Sequence, residues 1–186
     1  MTARQVARRK RVIDAALELA AEGGYDAVQM RDVAATASVA LGTIYRYFTS
    51  KDHLLAAALV EWSGDLQRRL SMRPQRGDTA ADRVVDVVRR AHRAMERNPR
   101  LAAALITAVT SPDPAIVDYQ RDMMAILTGV LSVPMEGIDD DLKEGVLRVL
   151  THVWFSTLLH WVNGWTGAAE VGEELEKAAR LLLRDA

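Results

Sequence analysis

Thr43, Tyr45, Arg46 and Tyr47 bring three hydroxyls and a guanidinium into five consecutive residues, little more than one turn of helix. Such groups hydrogen-bond phosphate oxygens and base edges. Gly42 just before them leaves room for backbone to approach a ligand closely, and Arg31 and Lys51 add cations on either side. Constellations that break bonds are missing from the sequence: it has no cysteine, Gly-x-Ser-x-Gly elbow, His-Glu-x-x-His pair or phosphate-cradling glycine-rich loop. His92, His152 and His160 have no neighbours at close metal-ligand spacing, so neither a metal nor another cofactor is assigned.

The charge distribution supports a polyanion as partner. Net charge is −1, yet Met1 to Lys51 holds eight Lys/Arg against five Asp/Glu, while the remainder holds sixteen against twenty. Neutralising phosphate needs local rather than global positive charge. Arg4, Arg8, Arg9, Lys10 and Arg11 fit either a solvated terminus or an arm on phosphates. They run directly into Val12-Ile13-Asp14-Ala15 without the apolar stretch of a secretory signal, and a cytoplasmic location is expected. Val149 to Ala169 lacks Asp, Glu, Lys and Arg over a membrane-spanning length, but its histidines, hydroxyls and Asn163 favour a helix buried by protein, and no membrane partner is expected.

The elements that must position these residues are helical, and the class is all-α with about nine helices. Ile13, Ala16, Leu17 and Ala20 form one apolar face of a first helix over Arg4 to Glu22, ended by Gly23-Gly24. Short helices follow over Met30 to Ala37 and Leu41 to Phe48, joined by Ser38-Val39-Ala40 at helix-turn-helix length. Val33, Ala34, Val39, Ile44 and Phe48 can converge on Ile13 and Leu17, leaving the opposite face for DNA. Ser50 is a good N-cap for a helix from Lys51 to Met72, which ends in Arg73-Pro74-Gln75-Arg76-Gly77-Asp78. Further helices are expected over Thr79 to Arg97, Pro99 to Thr110, Pro114 to Val133, Asp139 to Asn163 and Ala168 to Arg184.

Gly24-Tyr25, Arg31-Asp32-Val33-Ala34, Gly42-Thr43-Ile44-Tyr45-Arg46-Tyr47-Phe48 and Ser50-Lys51 together resemble the N-terminal signature of the tetracycline-repressor (TetR) family. The same stretch, with His53-Leu54-Leu55, is similar to the actinobacterial repressors of cholesterol catabolism within it. The resemblance spans roughly residues 12 to 55. It implies a DNA-binding domain over 1–53 and a helical effector-binding and dimerisation domain over 54–186. Thr43 and Tyr45 would meet bases or the adjoining backbone, Arg31 a base or phosphate, Tyr47 and Lys51 phosphates, and Arg46 either. Val28 and Gln29 stand where Thr or Ser often caps the second helix, Ser38 replaces a frequent turn glycine, and Leu41 replaces a frequent lysine. Leu41 then offers an apolar contact to a thymine methyl.

The resemblance also implies a homodimer joined through its last two helices and an inducer pocket. Trp154, Leu158, Trp161 and Trp165, facing Leu175, Ala178, Ala179 and Leu182, form two apolar stripes that suit either a four-helix dimer interface or monomer core. Trp62, Met95, Leu105, Met123, Met124, Leu127 and Phe155 suit either a cavity or plain core. The expected function is a repressor that binds a near-palindromic double-stranded operator and is released by a small apolar effector. A steroid-derived or long-chain acyl-coenzyme A thioester is the class suggested. Its head group would need cations, for which Arg89, Arg90, Arg93, Arg97 and Arg100 are available but spread around one helix. The competing readings are a helical binding or dimerisation module without DNA activity and a small helical enzyme.

Overall fold

The computed structural model describes residues 1–184. Nine α-helices occur among them and no strand: α1 (Ala3–Ala27), α2 (Met30–Thr36), α3 (Leu41–Tyr45), α4 (Lys51–Ser71), α5 (Ala80–Glu96), α6 (Pro99–Val109), α7 (Val117–Ser132), α8 (Asp140–Val162) and α9 (Ala168–Leu182). Single 3-10 turns, Pro114–Ile116 and Val133–Met135, flank α7. The all-helical class agrees with the sequence, while several boundaries differ.

Helix α1 starts earlier than expected, because Thr2 accepts a hydrogen bond from the Gln5 amide and the Gln5 side chain answers to the Thr2 amide. At its far end the glycine pair bends the helix before one more turn: Gly24 sits at φ 74°, ψ −163°, a conformation essentially confined to glycine. The expected third helix reaching Phe48 stops at Tyr45, and the amides of Tyr47 and Phe48 both turn back to the Ile44 carbonyl.

The described chain packs as two units. The first comprises residues 1–62 and 98–122, and within it α6 packs against α1. Val12, Ile13, Ala16, Val33, Ile44, Phe48 and Leu54 form its fully buried centre, with Leu17 and Val39 half-buried at the margin. Arg100 from α6 donates to the Glu22 carbonyl at 3.0 Å, tying α6 to α1 next to the break at Gly24.

The second unit comprises residues 63–97 and 123–184 and is built on α5, α8 and α9. Thr79 caps α5 and Asp139 caps α8 through their side-chain oxygens. Val84, Val85, Val88 and Ala91 on α5, Leu150, Trp154 and Leu158 on α8, and Leu175 and Ala179 on α9 are buried there. Arg89 of α5 grips Glu176 of α9 through two hydrogen bonds of 2.8 and 2.7 Å. The uncharged run at residues 149–169 is broken between α8 and α9 by Gly164 at φ 73°. Among the described residues no single helix is long and apolar enough to cross a membrane.

Candidate nucleic-acid interface

Helix α2 has no side-chain N-cap, as Gln29 in that position points its amide at the Asp26 carbonyl 3.0 Å away. The helix is held instead by Val33 and Ala34, both buried, and by its C-terminal turn. There the Ser38 amide bonds to the Ala35 carbonyl and the Val39 amide to the Ala34 carbonyl, the two bonds of a Schellman motif. The motif puts Ser38 at φ 53°, in the left-handed region. A glycine is frequent at this turn for that reason.

With α2 stopped and turned, α3 buries Ile44 and lays its other side outward. Tyr45 is 51 % exposed, Arg46 and Gly42 are exposed, and Leu41 and Thr43 are half-exposed. A side chain on Gly42 would meet open space, so within the chain nothing yet approaches that backbone. Arg31 is exposed on α2. Arg46 lies with its guanidinium carbon 5.7 Å from the Tyr47 ring centroid, a cation-π distance that ties the two side chains together. The Tyr47 hydroxyl is buried and has no hydrogen-bond partner among the described residues. An unsatisfied phenol of that kind is costly unless an external acceptor arrives.

Lys51 is engaged inside the chain. Its ammonium donates to the Tyr25 carbonyl at 3.2 Å and sits 3.7 Å over the Tyr25 ring. The Tyr25 hydroxyl in turn donates to Asp52 at 2.5 Å. Burial and the Asp52 carboxylate push the Tyr25 pKa up to about 12. The glycine-aromatic pair in the last turn of α1 is thereby clasped to the start of α4. Ser50 caps α4 by accepting from the His53 amide at 3.0 Å, and its hydroxyl donates to Asp113 at 2.6 Å.

The basic first helix divides its cations. Arg9 faces inward, donating to Glu61 at 2.6 Å and to the Tyr119 hydroxyl at 3.3 Å, with its guanidinium carbon 5.3 Å from the Phe48 ring centroid. Lys10 pairs with Asp14, whereas Arg4 and Arg11 are exposed. An outward patch of hydroxyls and guanidiniums on a helix presented by a tight turn is the geometry of a major-groove reader.

Residues 12–58 match the model of the tetR family of bacterial regulatory proteins, and residues 77–182 match that of the tetracyclin repressor-like C-terminal domain. The chain belongs to the TetR family. Among its relatives the HTH-type transcriptional repressor KstR of Rhodococcus jostii is 40 % identical over 184 residues, covering 97 % of this chain and 85 % of that one. KstR of Mycobacterium tuberculosis is 36 % identical over 179 residues, covering 96 % and 81 %. A solved TetR transcriptional regulator from Rhodococcus sp. RHA1 superposes with a TM-score of 0.83 at 30 % identity, covering 98 % of both chains. FadR of Thermus thermophilus, solved in complex with lauroyl-CoA, shares the fold at 23 % identity and a TM-score of 0.74, covering 94 % of this chain and 93 % of that one. The named relatives are repressors of transcription rather than enzymes.

The residues that helical spacing and side-chain type offer for the pocket and the dimer interface fall in different places. Of the pocket set, Trp62 and Leu105 lie in the first unit, and Met95, Met123, Met124, Leu127 and Phe155 in the second. Met95, Leu105, Met123 and Leu127 are buried, the others half-buried. Of the dimer set, Trp154, Leu158 and Leu175 are buried within the single chain. Trp161, Ala178 and Leu182 are half-buried and Trp165 is 72 % exposed. Leu181, 74 % exposed, and the exposed Val149 were missed by stripe reading, since they stand outside the inward-facing period that it follows.

Proposed function

We propose that this chain is a cytoplasmic homodimeric repressor whose residues 1–53 bind a near-palindromic operator and whose residues 54–186 dimerise and bind an apolar effector. The observation that carries the DNA reading is the outward set Arg31, Thr43, Tyr45 and Arg46 beside a buried, unpartnered Tyr47 hydroxyl. Thr43, Tyr45 and Leu41 are assigned to base edges and adjoining backbone. Arg31 and Arg46 reach bases or phosphates, Tyr47 donates to a phosphate, and Gly42 lets backbone come close. Lys51 holds Tyr25 and presents the start of α4 to the sugar-phosphate chain. One such helix reads a half-site, and a two-fold dimer supplies the other.

The face of α8 and α9 carrying Trp161, Trp165, Ala178, Leu181 and Leu182 supports dimerisation there, since a second copy would cover indole and leucine surface left open on one chain. An effector that binds one body conformation better than another shifts the spacing of the recognition helices and releases DNA. KstR as relative, and the resemblance to repressors of cholesterol catabolism, support a steroid-derived or long-chain acyl-coenzyme A thioester. Recovering genomic fragments with the purified protein, then measuring its affinity for the enriched duplex with and without such thioesters, tests the reading. A chain that stays monomeric and selects no duplex contradicts it.

A further inference from the structure

Within the second unit, the end of α4 and one face of α5 enclose a cleft of about 340 Å³ lined by Arg69, Arg73, Arg90, Arg93 and Arg97, with no carboxylate in its wall. Arginines elsewhere on α5 are used inside the chain: Arg83 donates to the Pro134 carbonyl at 3.1 Å, and Arg89 pairs with Glu176. By contrast, the side chains of Arg69, Arg73, Arg93 and Arg97 make no hydrogen bond or ion pair among the described residues. Arg90 differs again. Its Nη2 is fixed by the Pro74 carbonyl at 2.9 Å and by Asp86, while its Nη1 is buried without a partner. A neighbouring cleft, about 360 Å³ and lined also by Arg73, Arg90 and Arg93, continues toward Arg76, with Asp86, the partner of Arg90, in its wall.

Four guanidiniums without a carboxylate partner, gathered beside an Arg90 that Asp86 compensates, repel one another, and the buried Arg90 N–H without an acceptor adds to the cost, unless an anion enters. Guanidinium forks suit the paired oxygens of phosphate. The cleft is also not isolated from apolar surface. Leu70, part of its wall, equally lines a second cleft of about 190 Å³ whose other walls include Val87, Val130 and Val133. Unpartnered charge gathers on one side of Leu70, and mostly apolar surface, with Gln67 and Arg68 at its margin, lies on the other.

We infer that the arginine cleft receives the multiply phosphorylated head of the effector, with the apolar part of the same molecule lying beyond Leu70. The inference rests on the effector reading above and adds to it the residues that recognise the anion. Phosphate chemistry has two sources, the head of a thioester and a free polyphosphate, and the probes separate them.

Titration calorimetry of the full chain with coenzyme A, lauroyl-CoA and inorganic pyrophosphate is the test. Coenzyme A is expected to bind, more weakly as salt rises, and lauroyl-CoA to bind more tightly still. Arg73→Ala with Arg93→Ala is expected to weaken both by about tenfold or more, since charge-assisted hydrogen bonds are lost. Lysine at the same two positions is expected to restore part of the loss, because charge returns without the fork. Melting temperatures within about 2 °C of the parent, a small change for a chain of this size, certify the folded state. Failure of coenzyme A to bind, or equal binding by the alanine variant, overturns the inference. Pyrophosphate binding as tight as that of lauroyl-CoA overturns the head-group assignment. Release of operator by an uncharged steroid without coenzyme A binding removes the clamp and leaves the effector reading standing. Failure of the ligand-free parent to bind its operator sinks the repressor reading instead.

Discussion

Ser38 holds the turn between the two short helices at φ 53°, and its side chain makes no hydrogen bond among the described residues. Substituting it therefore changes backbone preference and little else. The left-handed region costs an L-residue about 1–2 kcal/mol, whereas glycine enters it freely but loses about 0.4–1 kcal/mol through the extra freedom of its unfolded chain. Ser38→Gly is expected to gain about 0.5–1 kcal/mol, and Ser38→Ala to match the parent. Ser38→Val should lose about 1–2 kcal/mol, because a β-branched residue is strained at positive φ. For a chain of 186 residues the glycine gain amounts to about 1–4 °C in Tm. Urea unfolding at one fixed protein concentration, followed by circular dichroism, gives the order through the midpoint. A valine variant as stable as the parent, or a glycine variant less stable, would refute the Schellman turn as the element that sets the angle of α3.

Gly24→Ala places a side chain at φ 74°, ψ −163°, and a loss of about 1–3 kcal/mol in the same unfolding assay is expected; no loss means that the break in α1 is not fixed by this residue. Burial pushes the His53 imidazole below its ordinary value of 6.5, with Arg9 acting in the same direction and Asp113 against it. The unfolded chain then binds the proton more readily, so stability present above pH 6.5 falls as pH drops through the folded value, and His53→Gln should flatten the change in urea midpoint between pH 7.5 and 5.5. Tyr47→Phe is expected to weaken all duplexes alike, whereas Thr43→Ala also changes sequence preference. Competition binding with variant operators checks this division, and identical selectivity changes in both variants would dissolve it.

The N-terminal region was legible because its signals are local. Glycines, caps and a short apolar period fix α1 to α4, and Ser50 could be named as a cap from the sequence. Ser38 and Gln29 marked the departures that the structure resolves, one by positive φ and the other by an uncapped helix held through its core. Long-range pairing was not legible. Nothing in the spacing of Arg9 points to Glu61 and Tyr119, or in that of Lys51 to the Tyr25 carbonyl, because these partners meet only after the helices pack. The body shows the same limit. Period places Trp154 and Leu175 on inward faces but cannot say whether the partner is α5 of the same chain or a second copy, and it left Leu181 unmarked. The arginines on α5 and at its C-cap look scattered around a helix until the end of α4 and the residues just after it bring Arg69 and Arg73 to join Arg90, Arg93 and Arg97.

The central claim is that the outward face of α2 and α3 recognises an operator. Fluorescence anisotropy with the enriched duplex, at several salt concentrations, measures this directly for the parent and for Arg31→Glu and Arg46→Glu. The account predicts binding by a dimer, with affinity falling steeply as salt rises. Each reversal should weaken binding by more than about tenfold, since an attractive contact becomes a repulsive one. Parent-like affinity and salt dependence in both variants would contradict it.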